Sequence, residues 1–200
     1  RYLFDVKTPS EFIKNIESNL PGKHNVLNTV AALAMANSYG ISLQVIAKAL
    51  LTFKGIKRRF SYKINTENLV LIDDYAHHPT EIKVVVNAIK ELYPTKKVLG
   101  VFQPHLFSRT KDFVSEFAAS LALFDELLML DIYPARELPI NGVNSNWLLG
   151  KINLKNKQVS SKENLLEKIL KSDAQVIAIM GAGDIGEMVE SIKNSLAIES

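Results

Sequence analysis

A short polar segment near the middle of the chain concentrates residue types that can bind ligands or transfer protons. Asp73-Asp-Tyr-Ala-His-His-Pro-Thr-Glu81 contains two aspartates, two histidines and a glutamate. Imidazole and carboxylate groups are common metal ligands, so one interpretation is a metal site. That interpretation is the weaker one, because adjacent histidines seldom point to one ion without ligands from elsewhere.

Helix-start chemistry is the other structural interpretation of the same segment. A polar residue before Pro79 and an acidic Glu81 in the first turn both favour the beginning of a helix. Capping therefore accounts for the residues from His78 to Glu81. It does not account for the four residues that precede them, and the pattern favours a functional role for Asp73, Asp74, Tyr75 and His77.

A second polar segment, Gln103-Pro-His-Leu-Phe-Ser-Arg-Thr110, contains His105 and Arg109. A guanidinium group can hold a carboxylate with two parallel hydrogen bonds, and such a charge-assisted bond contributes about 1.5–3 kcal/mol. The alternative is a solvated arginine at an exposed helix start. The position of Arg109 in a loop that follows a strand and Pro104 favours the functional interpretation.

Polar side chains also begin an alanine-rich helix, where His24, Asn25 and Asn28 follow Pro21-Gly22. The two asparagines are three residues apart and share one helix face. Asn25 could act simply as the helix cap. Two neighbouring amides could instead bind an adenine edge, which offers both a donor and an acceptor.

The elements that must position these residues follow from the apolar pattern. Two short strands are predicted around residues 8–10, followed by helices over 25–39 and 42–53. Strands are then predicted over 60–64, 69–73, 97–102, 126–131, near 159 and over 175–180. The helices between and after them are predicted over 79–92, 110–124, 146–151, 161–171 and from 184.

This alternation predicts an α/β fold, a Rossmann-like and mostly parallel sheet with helices on both faces. Ligands of such a sheet bind at the carboxyl ends of its strands. Four polar loops follow predicted strands, at 73–81, 103–110, 131–137 and 181–186, so we expect them at one edge. We also expect the first two loops to leave neighbouring strands and to face one cavity.

Composition excludes several classes of protein. The net charge of +3 is too small for the basic stripe that duplex nucleic acid requires, and the sequence contains no cysteine for a disulfide scaffold or a thiolate site. No apolar run approaches the ~20 residues of a membrane helix. The chain begins without methionine or a signal-peptide pattern, and we expect a cytoplasmic protein that continues upstream.

Five segments in order resemble the Mur ligase family: Pro21-Gly-Lys-His-Asn25 with Asn28, Arg58-Arg-Phe60, the Asp73–Glu81 and Gln103–Thr110 segments, and Gly181-Ala-Gly-Asp-Ile-Gly186. The resemblance implies that residues 1–55 end a central ATP-binding domain and that residues 56–200 form the carboxyl-terminal domain. It implies a cytoplasmic enzyme of peptidoglycan synthesis that uses ATP and Mg²⁺. The branch it favours joins L-alanine to UDP-N-acetylmuramate through an acyl phosphate.

The resemblance also implies roles for individual residues. It assigns the nucleotide side of the site to His24, Asn25, Asn28, Arg59 and Asp74. It assigns the incoming amino acid to Tyr75, His77, His105 and Arg109. Leu106 departs from the arginine that is common in the family, which removes one possible carboxylate contact.

No phosphate-binding Gly-x-x-x-x-Gly-Lys-Ser/Thr loop occurs in this sequence. We therefore assign no catalytic or metal-binding residue to this chain and expect the Mg²⁺ ligands upstream. We also expect that the chain by itself does not hydrolyse ATP.

Three alternatives remain open from the sequence. The Gly181–Gly186 segment fits the dinucleotide pattern Gly-x-Gly-x-x-Gly of oxidoreductases, although it follows the last strand rather than the first. A metal-dependent hydrolase could use the histidines and acids of the Asp73–Glu81 segment. Within the family, a related branch attaches a recycled peptide to the same nucleotide sugar, but the Pro-His…Arg-Thr pattern favours the alanine-adding branch.

Overall fold

The computed structural model describes residues 2–9 and 11–199. The chain divides into two compact units, one extending to Ile56 and one beginning at Lys57. No helix in the described residues has both the length and the apolar character needed to cross a bilayer.

The first unit contains one antiparallel strand pair and two helices. Strand β1 (Tyr2–Lys7) pairs with β2 (Phe12–Ser18), and the chain continues into helices α1 (Lys23–Ser38) and α2 (Leu43–Thr52). These elements confirm the predicted strands and helices, although Ser10 of the predicted turn lies outside the described residues. A small core joins both layers: Val6, Ile16, Leu33, Leu43 and Ile46.

The second unit contains six strands that alternate largely with helices. Its strands are β3 (Ser61–Asn65), β4 (Val70–Asp74), β5 (Val98–Phe102), β6 (Glu126–Met129), β7 (Lys157–Val159) and β8 (Val176–Met180). Its helices are α3 (Pro79–Leu92), α4 (Phe107–Asp112), α5 (Val114–Leu121), α6 (Ser145–Leu149), α7 (Lys162–Leu170) and α8 (Ile185–Glu199).

The six strands form one sheet in the order β3-β4-β8-β5-β6-β7. Only the β3–β4 pair is antiparallel, and the other pairs are parallel. Helices α3, α5 and α6 pack on one face, and α7 and α8 pack on the other. The predicted mostly parallel α/β sheet with helices on both faces is confirmed. Because β4, β5 and β8 are buried on both faces, β5 and β8 read as continuous apolar runs, and β4 is apolar up to Ile72.

The expectation that the first two polar loops leave neighbouring strands is wrong. Strand β8 lies between β4 and β5 and pairs in parallel with both. The last strand of the chain therefore takes a central position. Strand order depends on long-range packing, whereas the apolar pattern reports only local periodicity. The carboxyl ends of β4, β8, β5 and β6 still meet at one edge, as expected of parallel strands.

The helix predicted over 110–124 is divided into α4 and α5. Phe113 lies between them with φ −111° and ψ 27°, outside helical geometry. Its ring contacts the ring of His78 with a centroid separation of 4.8 Å. A contact to another loop therefore coincides with the break, and no local signal in the sequence predicts it.

Helix α3 begins and ends where the sequence predicts. Pro79 occupies its first turn, and the side chain of His78 accepts a hydrogen bond from the Thr80 backbone N–H. The Glu81 carboxylate accepts in return from the backbone N–H groups of His77 and His78, at 2.9 and 3.1 Å. These reciprocal bonds form a capping box, so the capping interpretation of His78 to Glu81 is confirmed.

Candidate functional site

Four aromatic side chains form a continuous row across the carboxyl edge of the sheet. Tyr75 and His77 follow β4, His105 follows β5, and Tyr133 follows β6. The ring centroids are separated by 5.3 Å between Tyr75 and His77, 5.9 Å between His77 and His105, and 5.6 Å between His105 and Tyr133. The structure thus brings together three residues that the resemblance assigns to the amino acid. We call these four residues the aromatic row.

Backbone hydrogen bonds join the loop that carries His105 to the loop that carries Tyr133. The Leu106 N–H donates to the Tyr133 carbonyl at 2.9 Å, and the Tyr133 N–H donates to the Pro104 carbonyl at 2.8 Å. Tyr133 itself was not identified from the sequence, although it lies in one of the four predicted polar loops. The pairing holds its ring against the His105 imidazole.

Glu137 fixes the beginning of helix α4, which carries Arg109. Its carboxylate accepts from the Ser108 backbone N–H at 3.0 Å and also from the Ser108 hydroxyl. These bonds hold the pKa of Glu137 below its usual range, with a smaller contribution from the Arg109 charge. Glu137 is therefore a carboxylate near neutral pH, and it anchors α4 from outside that helix.

Two buried polar atoms beside the aromatic row lack hydrogen-bond partners. They are Nδ1 of His105 and Nη1 of Arg109. An unmet buried polar group costs about 1–3 kcal/mol, so such atoms in a loop-built site indicate a place for ligand atoms. The guanidinium of Arg109 is suited to a carboxylate. The structure thus adds a chemical reason to the role that the resemblance implies for these two residues.

The imidazole of His105 is held neutral. Burial lowers its pKa from the ordinary value of 6.5, and electrostatic interactions with Arg109 and His77 lower it further, while Glu137 acts in the opposite direction. A neutral imidazole carries one donor and one acceptor nitrogen. Near neutral pH, His105 can therefore accept a proton or a hydrogen bond from a ligand.

The lowered pKa of His105 predicts a pH dependence of stability. The unfolded chain binds a proton at this site near pH 6.5 and the folded chain only at lower pH, so stability from this group is lost as the pH falls below 6.5. We expect the free energy of unfolding of the wild-type chain to fall more steeply below pH 6.5 than that of His105→Gln. Urea unfolding at several pH values measures this difference. Equal slopes would show that His105 titrates normally in the folded chain.

His77 is oriented by its own loop. Its Nδ1 lies 2.9 Å from the Tyr75 carbonyl oxygen and 3.4 Å from the Glu81 carboxylate. In the tautomer that carries its hydrogen on Nδ1, His77 can donate to the Tyr75 carbonyl oxygen or to the Glu81 carboxylate. Nε2 of that neutral ring is then the hydrogen-bond acceptor. Tyr75 is more exposed than His77, so its ring is accessible to a ligand at the end of the row.

Asp74 is buried and bonds to the backbone. One carboxylate oxygen accepts from the Phe60 N–H and the other from the Ala76 N–H, each at 2.7 Å. Burial raises its pKa despite these bonds and despite the nearby Arg59 charge. Asp74 therefore holds the start of the Tyr75–His77 loop against the segment before β3. Its implied role on the nucleotide side stays a prediction.

Asp73 is also buried, and it forms ion pairs. Its carboxylate lies 3.3 Å from Arg58 Nε and 3.9 Å from Lys63 Nζ. Burial raises its pKa, and the Arg58 charge offsets part of that effect. The Asp73 carboxylate is therefore used to hold Arg58 and Lys63, and we assign it no contact with a ligand.

Arg58 is the main site residue to which the sequence assigned no role. Its Nη2 donates to the Gly181 carbonyl at 2.6 Å, and its guanidinium carbon lies 5.0 Å from the centre of the Tyr75 ring. The backbone of Arg58 has a φ of +56°, which is uncommon for a residue other than glycine. The double arginine before β3 was visible in the sequence, but only the fold shows which of the two reaches Tyr75.

The glycines of the Gly181–Gly186 loop approach other side chains closely. A Cβ atom added to Gly183 would lie 2.7 Å from Cγ of Tyr133, and one added to Gly186 would lie 2.6 Å from Cζ of Arg58. Side chains of the protein itself thus occupy the space beside these glycines. A dinucleotide-binding loop needs that space for a pyrophosphate, so the geometry argues against the oxidoreductase alternative.

The structure also argues against the metal-dependent hydrolase alternative. Within residues 2–9 and 11–199, no group of three or more His, Cys, Asp or Glu side chains is arranged to hold a metal ion. Asp73 pairs with cations, Asp74 accepts from amides, and His78 caps α3. The acids and histidines of this segment are thus used for other contacts.

In the first unit, the predicted nucleotide residues lie at the beginning of α1. The N-cap residue is Gly22 and not Asn25, so the capping interpretation of Asn25 is wrong. The Asn25 side-chain amide donates to the Pro21 carbonyl at 2.6 Å. The helix begins two residues earlier than predicted, because Gly22, with φ +87°, makes the turn into it. Asn28 is exposed on the same helix, and His24 is half-buried.

A comparison with protein families matches residues 58–183 to the Mur ligase, glutamate ligase domain. Among curated relatives, UDP-N-acetylmuramate–L-alanine ligase of Christiangramia forsetii is 61% identical over 199 residues, which is 100% of this chain and 44% of that protein. The chain therefore spans less than half the length of this relative.

The chain is also similar to solved structures from two branches of the family. UDP-N-acetylmuramate-alanine ligase from Thermotoga maritima is 28% identical with a TM-score of 0.75, over 94% of this chain and 41% of that one. A murein peptide ligase from Psychrobacter arcticus is 25% identical with a TM-score of 0.63, over 89% of this chain and 38% of that one.

Proposed function

Because this chain belongs to the Mur ligase family, we propose that it is the carboxyl-terminal part of an enzyme that joins L-alanine to UDP-N-acetylmuramate. The enzyme would use ATP and act in the cytoplasm, where peptidoglycan precursors are assembled. The relatives named above support this proposal, since the curated one carries that activity in its name.

The observation that carries the proposal is the pair of unpartnered buried atoms beside the aromatic row. Nη1 of Arg109 can donate to the carboxylate of an amino acid, and the neutral His105 offers a polar atom close by. In this proposal Tyr75 and His77 complete the amino-acid site from the β4 side. Tyr75, His77 and His105 lie in loops at one edge of the sheet, where ligands of such folds bind, and Arg109 lies in helix α4, which follows the His105 loop.

The proposed reaction first makes the sugar carboxylate reactive. A carboxylate oxygen attacks the γ-phosphorus of ATP, an O–P bond forms, and ADP leaves. The amine of L-alanine then attacks the acyl carbon, the C–O bond to phosphate breaks, and phosphate leaves with that electron pair while the nitrogen loses a proton. In this scheme the residues of the present chain bind and orient the amino acid so that its nitrogen faces the acyl phosphate.

We assign the nucleotide side to His24, Asn25, Asn28, Arg59 and Asp74, as the family resemblance implies. Arg59 is suited to a phosphate because its charge is permanent, and the exposed amide of Asn28 can contact a base. Mg²⁺ would be held by residues of the enzyme outside this chain, so no step of the reaction is assigned to it here.

We propose that residues 1–55 end a larger central ATP-binding domain and that residues 56–200 form the carboxyl-terminal domain. Most of the exposed large hydrophobic side chains in the described residues lie in the first unit, among them Leu27, Met35, Tyr39, Val45 and Phe53. Such side chains are usually covered in a complete domain. Their exposure supports the proposal that the rest of that domain is contributed by another part of the enzyme.

The choice of amino-acid substrate tests the proposed branch of the family. The full-length enzyme is incubated with ATP, Mg²⁺ and UDP-N-acetylmuramate, and phosphate release is measured with L-alanine or with a murein peptide. We expect turnover with L-alanine and none with the peptide. The reverse preference would assign the chain to the peptide-attaching branch. The 200-residue chain by itself serves as a control, and we expect it to show no turnover.

A further inference from the structure

The glycine-rich loop after β8 lies close to two side chains at opposite ends of the aromatic row, Tyr133 at one end and Arg58, which covers Tyr75, at the other. Strand β8 separates β4 from β5, so its loop reaches residues from both sides. A Cβ atom built on Gly183 would meet Tyr133 and the Gln103 side chain, and one built on Gly186 would meet the guanidinium of Arg58. Tyr133 stacks on His105 with an interplanar angle of 26°, and Arg58 covers the ring of Tyr75.

The need for glycine at these two positions comes from space and not from backbone conformation. Neither Gly183 nor Gly186 has a φ in the left-handed region, so the backbone at both would accept alanine. A Cβ atom on Gly183 would nevertheless lie closest to Oε1 of Gln103 and 2.7 Å from Cγ of Tyr133, and one on Gly186 would lie 2.6 Å from Cζ of Arg58. These distances are shorter than Cβ atoms show in folded proteins. The supporting side chain would have to move.

We propose that Gly183 and Gly186 are positioning residues for the amino-acid substrate. Because Gly183 has no side chain, Tyr133 can pack beside it, and this packing fixes the His105 end of the row. Gly186 keeps the place for Arg58 and so fixes the Tyr75 end. The substrate named here rests on the proposed function, but the arrangement of the row can be tested without any substrate.

The Tyr133 end can be followed through the titration of His105 in the 200-residue chain. The titratable groups that act electrostatically on this imidazole are Arg109, His77 and Glu137, and burial is the largest cause of its lowered pKa. Displacement of Tyr133 exposes the ring, so Gly183→Ala should raise the pKa of His105 towards 6.5. Tyr133→Leu should do the same without overpacking. Histidine NMR titration measures this, with the signal assigned by His105→Gln.

Gly150→Ala is the matched control. It adds the same methyl group in the same unit, but the nearest atoms to its Cβ are backbone oxygens at 3.5 Å, an ordinary contact. We expect the pKa of His105 to be unchanged in Gly150→Ala and in Gly186→Ala. An unchanged pKa of His105 in Gly183→Ala would overturn the proposal for the Tyr133 end, and the result for Tyr133→Leu would then show whether Tyr133 itself affects the imidazole.

The Arg58 end is tested by kinetics of the full-length enzyme. Gly186→Ala should raise the KM for L-alanine about tenfold, since small displacements of positioning groups have effects of this order. Arg58→Lys keeps a charge beside the buried Asp73 and should raise the KM similarly. If Gly186 acts through Arg58, the double variant should be no worse than the more severe single variant. Effects that multiply would overturn the proposal for this end.

Failure of this proposal can be distinguished from failure of the proposed function. If the two glycines do not position the aromatic row, Gly183→Ala should leave the pKa of His105 unchanged and Gly186→Ala should leave the KM for L-alanine unchanged, as Gly150→Ala does. The wild-type enzyme would still use L-alanine. If L-alanine is not the substrate, the wild-type enzyme fails to use it, and the change in the His105 titration still occurs in Gly183→Ala.

Discussion

Arg109→Ala is expected to raise the KM for L-alanine of the full-length enzyme about thirtyfold, because one charge-assisted bond of about 2 kcal/mol to the substrate carboxylate is lost. The Nη1 atom of Arg109 is buried without a partner, so the substitution removes no internal hydrogen bond of this atom. The KM for ATP should change less than about twofold, since the binding of one substrate is affected and not the fold. Initial rates at varied concentrations of each substrate measure both constants.

Two further variants make this prediction specific. Lys111→Ala removes a positive charge from the same helix, α4, at an exposed position, and should leave the KM for L-alanine near the wild-type value. Arg109→Lys keeps the charge but loses the two-pronged geometry, so its KM should lie between those of the wild type and Arg109→Ala. Equal increases of the KM for L-alanine and for ATP would contradict the assignment of Arg109 to the amino acid.

Asp74→Ala is expected to lower the free energy of unfolding of the second unit by about 2–4 kcal/mol, because two buried backbone amides lose their acceptor. Those amides belong to Phe60 and Ala76, and both hydrogen bonds are short at 2.7 Å. The change should also loosen the loop that carries Tyr75 and His77. Urea unfolding followed by the fluorescence of Trp147, the one tryptophan of the chain, reports on this unit.

Asp131→Ala is the control for Asp74→Ala. Asp131 also follows a strand at the carboxyl edge, but it is exposed, and its removal should change stability by no more than about 0.5 kcal/mol. Asp74→Asn keeps one acceptor oxygen and turns an NH₂ group towards the other amide, so its stability should lie between the wild type and Asp74→Ala. A destabilisation by Asp74→Ala as small as that by Asp131→Ala would mean that the two bonds contribute little.

Much of the fold follows from local features of the sequence. Helix α3 is predicted correctly at both ends because the capping residues with Pro79 mark its beginning and Tyr93-Pro-Thr95 marks its end, and each signal acts within one turn of the chain. The buried strands β4, β5 and β8 are recognisable because each is a short apolar run followed by polar residues. Parallel strands align their carboxyl ends, so the alternation of strands and helices also predicts that the polar loops share one edge.

The details of the site depend on contacts between distant residues, which no local pattern encodes. Arg58 reaches Gly181, 123 residues along the chain, and Phe113 leaves helical geometry where it contacts His78. The family resemblance assigns a role to Arg59 and none to Arg58. The contacts of Arg58 with Gly181 and with the Tyr75 ring exist only in the folded chain. The Gly-x-Gly-x-x-Gly spacing likewise fits a dinucleotide loop in sequence. In the folded chain, however, the side chains of Arg58, Gln103 and Tyr133 occupy the space beside its glycines.

The sequence by itself determined the α/β class, the set of polar loops at one edge of the sheet and the family resemblance, because residue type and spacing act over a few residues. Tertiary structure alone decided that β8 lies between β4 and β5, that Tyr133 completes the aromatic row, and that buried atoms of His105 and Arg109 have no hydrogen-bond partner within the described residues. The physical reason is that packing joins side chains that are far apart in the chain, and burial exists only once they are packed.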